Sequence, residues 1–167
     1  IIKNNTLSNV GQNCISIFSS KEFIVENNSI RNCGATAISC ERSQGIVNNN
    51  KMNEIHGNGV HVSNNANVQI TNNEINDADY PGIAIVSNAN ATIKKNRICR
   101  IKINGICSRG AKNVHMEDTE IIDVEECGIS ISDTKRYEIE KCKLLNCKIM
   151  AIESYNNSQV FLKDNII

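Results

Sequence analysis

Apolar residues in this chain fall in short runs that alternate with polar ones. Gly82-Ile83-Ala84-Ile85-Val86, Ala91-Thr92-Ile93-Lys94 and Glu74-Ile75-Asn76 each place an apolar side chain at every second position. Period two predicts strands with one face inward, and no stretch holds the 3.6-residue period of a helix. The runs recur at a fixed interval. One apolar column reads Leu7, Ile30, Met52, Ile75, Ile98, Ile121, Leu144, Ile167. A second reads Ile15, Ile38, Val60, Ile83, Ile106, Ile129, Ile152, and a third Val25, Val47, Ile70, Ile93, Met116, Ile139, Leu162. The step is 23 residues except for a single step of 22, whose missing residue lies within Glu41–Gln44. Three columns held in register mark a tandem repeat.

Three short strands in each 23-residue unit, each unit stacked on the last, predict an all-β, right-handed, single-stranded parallel β-helix of about seven coils. Coils about 4.8 Å apart give a rod on the order of 35 Å tall. A leucine-rich repeat has a similar period but needs Leu at several positions and a helical return, and this sequence has neither. Residues 1–167 form one β-helix segment. The chain starts and stops inside a coil, which is expected of a piece of a longer protein.

Composition sharpens this picture. Of 167 residues, 27 are Ile and 27 are Asn, with one Pro and no Trp. The Asn residues are not scattered: Asn5, Asn28, Asn50, Asn73 and Asn96 share one column at a bend between strands. Asn tolerates a left-handed bend, and stacked amides hydrogen-bond from coil to coil, so these five are expected to form a structural ladder. Thr119 and Cys142 interrupt the column and Asn165 resumes it.

Eighteen basic and eighteen acidic side chains leave no net charge, which argues against nucleic-acid binding by overall charge. The charges alternate in sign from coil to coil: Lys51, Glu74, Arg97, Glu120, Lys143; Lys95, Asp118, Lys141, Asp164; Asp79, Lys102, Glu125, Lys148; Asp77, Arg100, Asp123. In a parallel stack each charge then lies between opposite ones, which fixes register because a slip brings like charges together. No apolar run is long enough to span a membrane, and no signal peptide is visible.

Eight cysteines contain no pair spaced 22 or 23 apart, the separation of neighbours within a column. Cys33, Cys40 and Cys147 occupy inward positions, where Cys serves as a small apolar residue. His56, His61 and His115 complete no zinc spacing. Reduced thiols in a cytoplasmic or nuclear compartment are therefore expected, with an extracellular or periplasmic one as the alternative. Four Asn-x-Ser/Thr sequons, at Asn4, Asn27, Asn90 and Asn156, are what an Asn-rich chain produces by chance.

The repeat Asn73-Glu74-Ile75…Gly82-Ile83-Ala84-Ile85 resembles the β-helix repeats of pectin-lyase-like proteins. It is most similar to the group of carbohydrate-binding proteins and sugar hydrolases that also includes β-helix F-box proteins. The resemblance implies three sheets, called PB1 (here Gly82–Val86), PB2 (Ala91–Lys94) and PB3 (Glu74–Asn76). It also implies that a functional site stands on the outer PB1 face or on the turns beside it. The outward PB1 positions include Phe18, Glu41, His61, Val86, Arg109 and Tyr155. No paired Asp stands among them for acid–base cleavage of a glycoside, and the epimerase-type Asp-Pro-His is absent. Arg100-Ile101-Lys102 matches a polygalacturonase motif by letter only, and lies in a turn. Asp77, Asp79, Asp123 and Glu125 are acidic enough for Ca²⁺, but Arg100 and Lys102 intervene. No cofactor or metal is expected.

The catalytic candidates that remain are His61, Glu41, Arg109 and Asp79. His61 and Glu41 are offset by a coil and two residues, too far for an acid–base dyad. Aromatic and Arg side chains are typical interface anchors, so Phe18, His61, Val86, Arg109 and Tyr155 are expected to form a recognition face. The function expected from the sequence is a non-enzymatic recognition or scaffold module that binds a protein partner there. The alternative is a carbohydrate-active or glycan-binding β-helix that takes an extended polysaccharide.

Overall fold

The structure is a computed structural model that describes residues 1–167, strands alternating with turns, bends and short irregular links. Twenty-two strands form three parallel sheets. PB1 has seven strands, from Ile15–Phe18 to Met150–Tyr155, and PB3 has seven, from Thr6–Val10 to Lys143–Cys147. PB2 has eight, from Ile2–Lys3 to Val160–Lys163. Every strand pairs with the strand one coil away, as in Ile83↔Ile106, Ile70↔Ile93 and Ile75↔Ile98. The shortened step falls where the sequence places it: Phe18 pairs with Glu41, whereas Phe23 pairs with Gly45. Gly45 has a packing role there, because a Cβ on it would stand 2.6 Å from the Phe23 ring. The large inward Phe23 thus fills the space that Gly45 leaves open.

The three apolar columns form the bore. Ile38, Ile70, Ile75, Ile83, Ile93, Ile98 and Ile106 are wholly buried, each contributing about 1.5–3 kcal/mol of apolar burial. Ile suits these positions because its β-branched side chain packs on the pleat of a strand.

The Asn ladder is present at atomic detail. Asn28 Nδ2 donates to Asn50 Oδ1 (2.9 Å), Asn50 Nδ2 to Asn73 Oδ1 (3.0 Å) and Asn73 Nδ2 to Asn96 Oδ1 (3.0 Å), all buried. Asn5 extends the stack at the more open end by donating to Asn28 Oδ1. At the first interruption, Thr119 Oγ1 takes over as acceptor for the Asn96 backbone N–H. The left-handed residue, however, is not the ladder Asn but the one before it. Asn4, Asn27, Asn49, Asn72, Lys95, Asp118, Lys141 and Asp164 all have φ between 49° and 58°. The first residue of each pair turns the chain and the second holds the stack.

A second left-handed column lies inside PB3: Asn9, Asn32, Glu54, Asp77, Arg100, Asp123 and Asn146. Pairing skips this position, so that Asn76↔Cys99 is followed by Ala78↔Ile101. PB3 is therefore longer than period two predicts. It bends at Asp77 and turns Ala78, Ile101 and Val124 back into the core.

The expectation of reduced cysteines is corrected in one place. Cys14 and Cys33 form a disulfide, with Cα atoms 6.1 Å apart, and the other six cysteines are free. The spacing is 19, so a search within columns misses it. Cys33 pairs with Val10 and therefore stands one coil on, diagonally across the narrow PB3–PB1 turn from Cys14. The same diagonal relates Gly128 to Cys147, where a Cβ on the glycine would lie 2.8 Å from Cys147 Sγ. No helix in the structure is long and apolar enough to cross a membrane.

Candidate functional site

The outer PB1 face is flat and carries small side chains at its middle. Ser63, Ala84, Ser130 and Ser132 are closely covered by their stacked neighbours. Phe18 and Tyr155 stand exposed at opposite ends of the sheet, with half-exposed Val86 and exposed Arg109 between them. The Arg42 guanidinium lies 4.3 Å over the Phe18 ring and 3.2 Å from Glu41 Oε1. Glu41 Oε1 also accepts from Asn64 Nδ2, and no hydrogen bond joins Glu41 to His61. Burial lowers the His61 pKa, against an opposing pull from Glu41, so its imidazole is neutral at neutral pH. Arg109 makes no ion pair. The structure thus spreads the PB1 residues along a face and does not gather them into a pocket.

The concavity lies around the corner, where PB3 meets the PB3–PB1 turn. A groove of about 670 Å³ runs along the rod there. Its first wall is the left-handed PB3 column, Glu54, Asp77, Arg100, Asp123 and Asn146. The second wall is the turn column His56, Asp79, Lys102, Glu125 and Lys148. Ala78, Ile101 and Cys147 form the floor. The left-handed residue creates this shape, because it lifts one row of side chains off the pleat while the next residue returns to the core. Five coils at about 4.8 Å give the groove a length of about 20 Å.

The walls are lined with ion pairs. Arg100 holds Asp77 with two hydrogen bonds of 2.7 Å, and Arg31 holds Glu54 from outside the groove at 3.1 and 2.7 Å. Lys102 Nζ is 2.6 Å from Asp79 Oδ1, while His56 Nδ1 lies 2.8 Å from Asp79 Oδ2. Lys148 pairs with Glu125. Asp123 has no cation and accepts from Asn146 Nδ2 at 2.9 Å. Hydrogen bonds from Arg31, Arg100 and Lys102 respectively hold Glu54, Asp77 and Asp79 below the ordinary carboxylate range. These three stay ionised at neutral pH and accept hydrogen bonds; none is poised as a general acid. No three His, Cys, Asp or Glu side chains converge to hold a metal ion.

Of the sequence candidates, Asp79 lies in the groove, while His61, Glu41, Arg109, Phe18, Val86 and Tyr155 lie on the PB1 face. Glu54, His56 and Asn146 were not singled out as binding residues by sequence. Their signal was position alone: they continue the columns of Asp77 and Asp79 at the same 23-residue step.

Residues 36–167 match the family model described as "Right handed beta helix region". The chain belongs to the right-handed β-helix family. A variant of the periplasmic alginate epimerase AlgG superposes on this β-helix with a TM-score of 0.80, at 14% identity over 96% of this chain and 50% of its own. The catalytic unit of a GH87 alpha-1,3-glucanase from Streptomyces thermodiastaticus has a TM-score of 0.65 at 12% identity, over 98% of this chain and 43% of its own. The A-module of the mannuronan C-5 epimerase AlgE4 from Azotobacter vinelandii has a TM-score of 0.59 at 12% identity, over 99% and 60%. At these identities the likeness is one of fold, and this β-helix spans about half the length of those chains. No curated protein matches the sequence.

Proposed function

We propose that this β-helix engages an extended polysaccharide along its axis, as a segment of a carbohydrate-active or glycan-binding protein. The observation that carries this is the axial groove. It is open along its length, its walls repeat at every coil, and it presents carboxylate acceptors and ammonium or guanidinium donors in alternation. A polymer of similar units meets similar contacts at every second coil of such a surface, about 10 Å apart. The fold neighbours support the reading, since their names record action on alginate and on alpha-1,3-glucan. They favour it over the protein partner expected from the PB1 face.

The Cys14–Cys33 disulfide supports an oxidising compartment, periplasmic or extracellular, in place of the cytoplasm. The test is retention of the protein by a panel of immobilised polysaccharides, with product release followed in parallel. Wild type is expected to be retained, and Asp79→Ala combined with Lys102→Ala is expected to abolish retention without unfolding the rod. If Arg109→Glu with Tyr155→Ala abolishes it instead, the binding surface is the PB1 face. If no polysaccharide retains the protein, the proposal fails.

A further inference from the structure

The charge arrangement of the groove selects among polysaccharides. Resting on the reading above, we infer that the groove takes an uncharged, hydroxyl-bearing glycan and rejects polyuronates. Five carboxylates line it, those of Glu54, Asp77, Asp79, Asp123 and Glu125. The fixed cations are Arg100, Lys102 and Lys148 on the walls and Arg31 behind Glu54, and each is already committed to a carboxylate. Five negative charges against four positive leave one carboxylate in excess, at Asp123.

A uronate chain brings one negative charge per sugar. Every wall cation it can reach already lies against a wall carboxylate, so each uronate is brought beside an acidic neighbour with no unpaired cation to offset the repulsion. A neutral sugar meets no such repulsion. Its hydroxyls donate to the free lone pairs of Asp77, Asp79 and Asp123 and accept from the remaining N–H groups of Lys102 and Lys148, while every ion pair stays closed.

The experiment is calorimetric titration with oligosaccharides of a neutral glucan and with oligomannuronate, each at low and high salt. The neutral ligand is expected to bind with an affinity that salt barely alters, because no net charge is neutralised. Asp79→Ala with Lys102→Ala is expected to weaken it about tenfold or more through the lost charged hydrogen bonds. Oligomannuronate is expected to bind wild type undetectably. It is expected to bind Asp123→Lys, which reverses the excess charge, in a salt-sensitive manner. If wild type binds oligomannuronate as tightly as the glucan, and the groove double variant removes it, this inference is overturned while polysaccharide engagement stands. If neither ligand binds and no immobilised polysaccharide retains the protein, both fall. Melting curves of each variant separate lost contacts from lost folding.

Discussion

Asn73 uses its whole amide inside the stack. The two N–H groups of its Nδ2 are shared among the Val47 and Thr71 carbonyls and Asn96 Oδ1, while its Oδ1 accepts from the backbone and the amide of Asn50. Replacement by Ala leaves buried donors and acceptors in three coils without partners. Asn73→Ala is therefore expected to lower stability by roughly 1–3 kcal/mol, read as a drop in the denaturant or thermal midpoint. An unchanged midpoint would mean that the ladder carries no stability. The ladder was legible in the sequence because its residue type repeats in one column. A left-handed bend was expected at the ladder Asn itself; that it falls one residue earlier was not legible, because four of those eight positions hold Lys or Asp and only half hold Asn. Main-chain hydrogen bonds on either side hold those residues at positive φ, and propensity alone does not mark them.

At the scale of a sheet, the outer face of PB2 carries its own ion chain. Glu117 sits between Lys94 (3.0 Å) and Lys141 (3.1 Å). Hydrogen bonds from Lys94 and then Lys141 depress its pKa from 4.5 to about 2. A carboxyl depressed on folding stabilises the native state above its unfolded pKa, and that stability is lost as pH falls. The loss falls between about 4.5 and 2. Glu117→Gln is expected to flatten the fall of the melting midpoint across that window, and an equally steep fall in the variant would rule the pair out as its source. The alternation of charge predicted from sequence pairs Lys141 with Asp118. The structure pairs it with Glu117, the strand residue beside Asp118, which also holds Lys94. Columns read from a sequence give the level of a charge along the rod, but not which neighbour it meets. The other left-handed column, inside PB3, explains why the groove was illegible: the letters of Glu54, Asp77, Arg100 and Asp123 show their spacing, but not that a left-handed backbone lifts them into a wall.

Over the whole molecule, the cysteines offer a count that tests the architecture. The protein unfolded without reductant is expected to take up alkylating reagent at six thiols, and at eight after reduction, by mass spectrometry. In the native rod only half-exposed Cys107 and Cys147 are within reach, and slowly, since burial raises both thiol pKa values. Buried Cys40, pushed up to about 12, is expected to stay unmodified. Eight labelled sites without reduction would remove the disulfide and the support it gives to an oxidising compartment. The number of coils and the period were fully legible, because each coil repeats its neighbour's pattern. The Cys14–Cys33 link was not, because it crosses columns.

The alternation of charge also constrains how such a rod changes length over generations. Excising the single coil that holds Arg100 and Lys102 would stack Asp77 on Asp123 and Asp79 on Glu125, like on like. Excising two consecutive coils would stack Asp79 on Lys148 and keep the sequence of signs. Over the coils concerned the inward columns hold mostly Ile, so the core accepts either event more readily than the charged columns do. Insertions and deletions acceptable to the core are therefore filtered by the surface, and heritable changes in coil number that preserve the ion pairs come in twos.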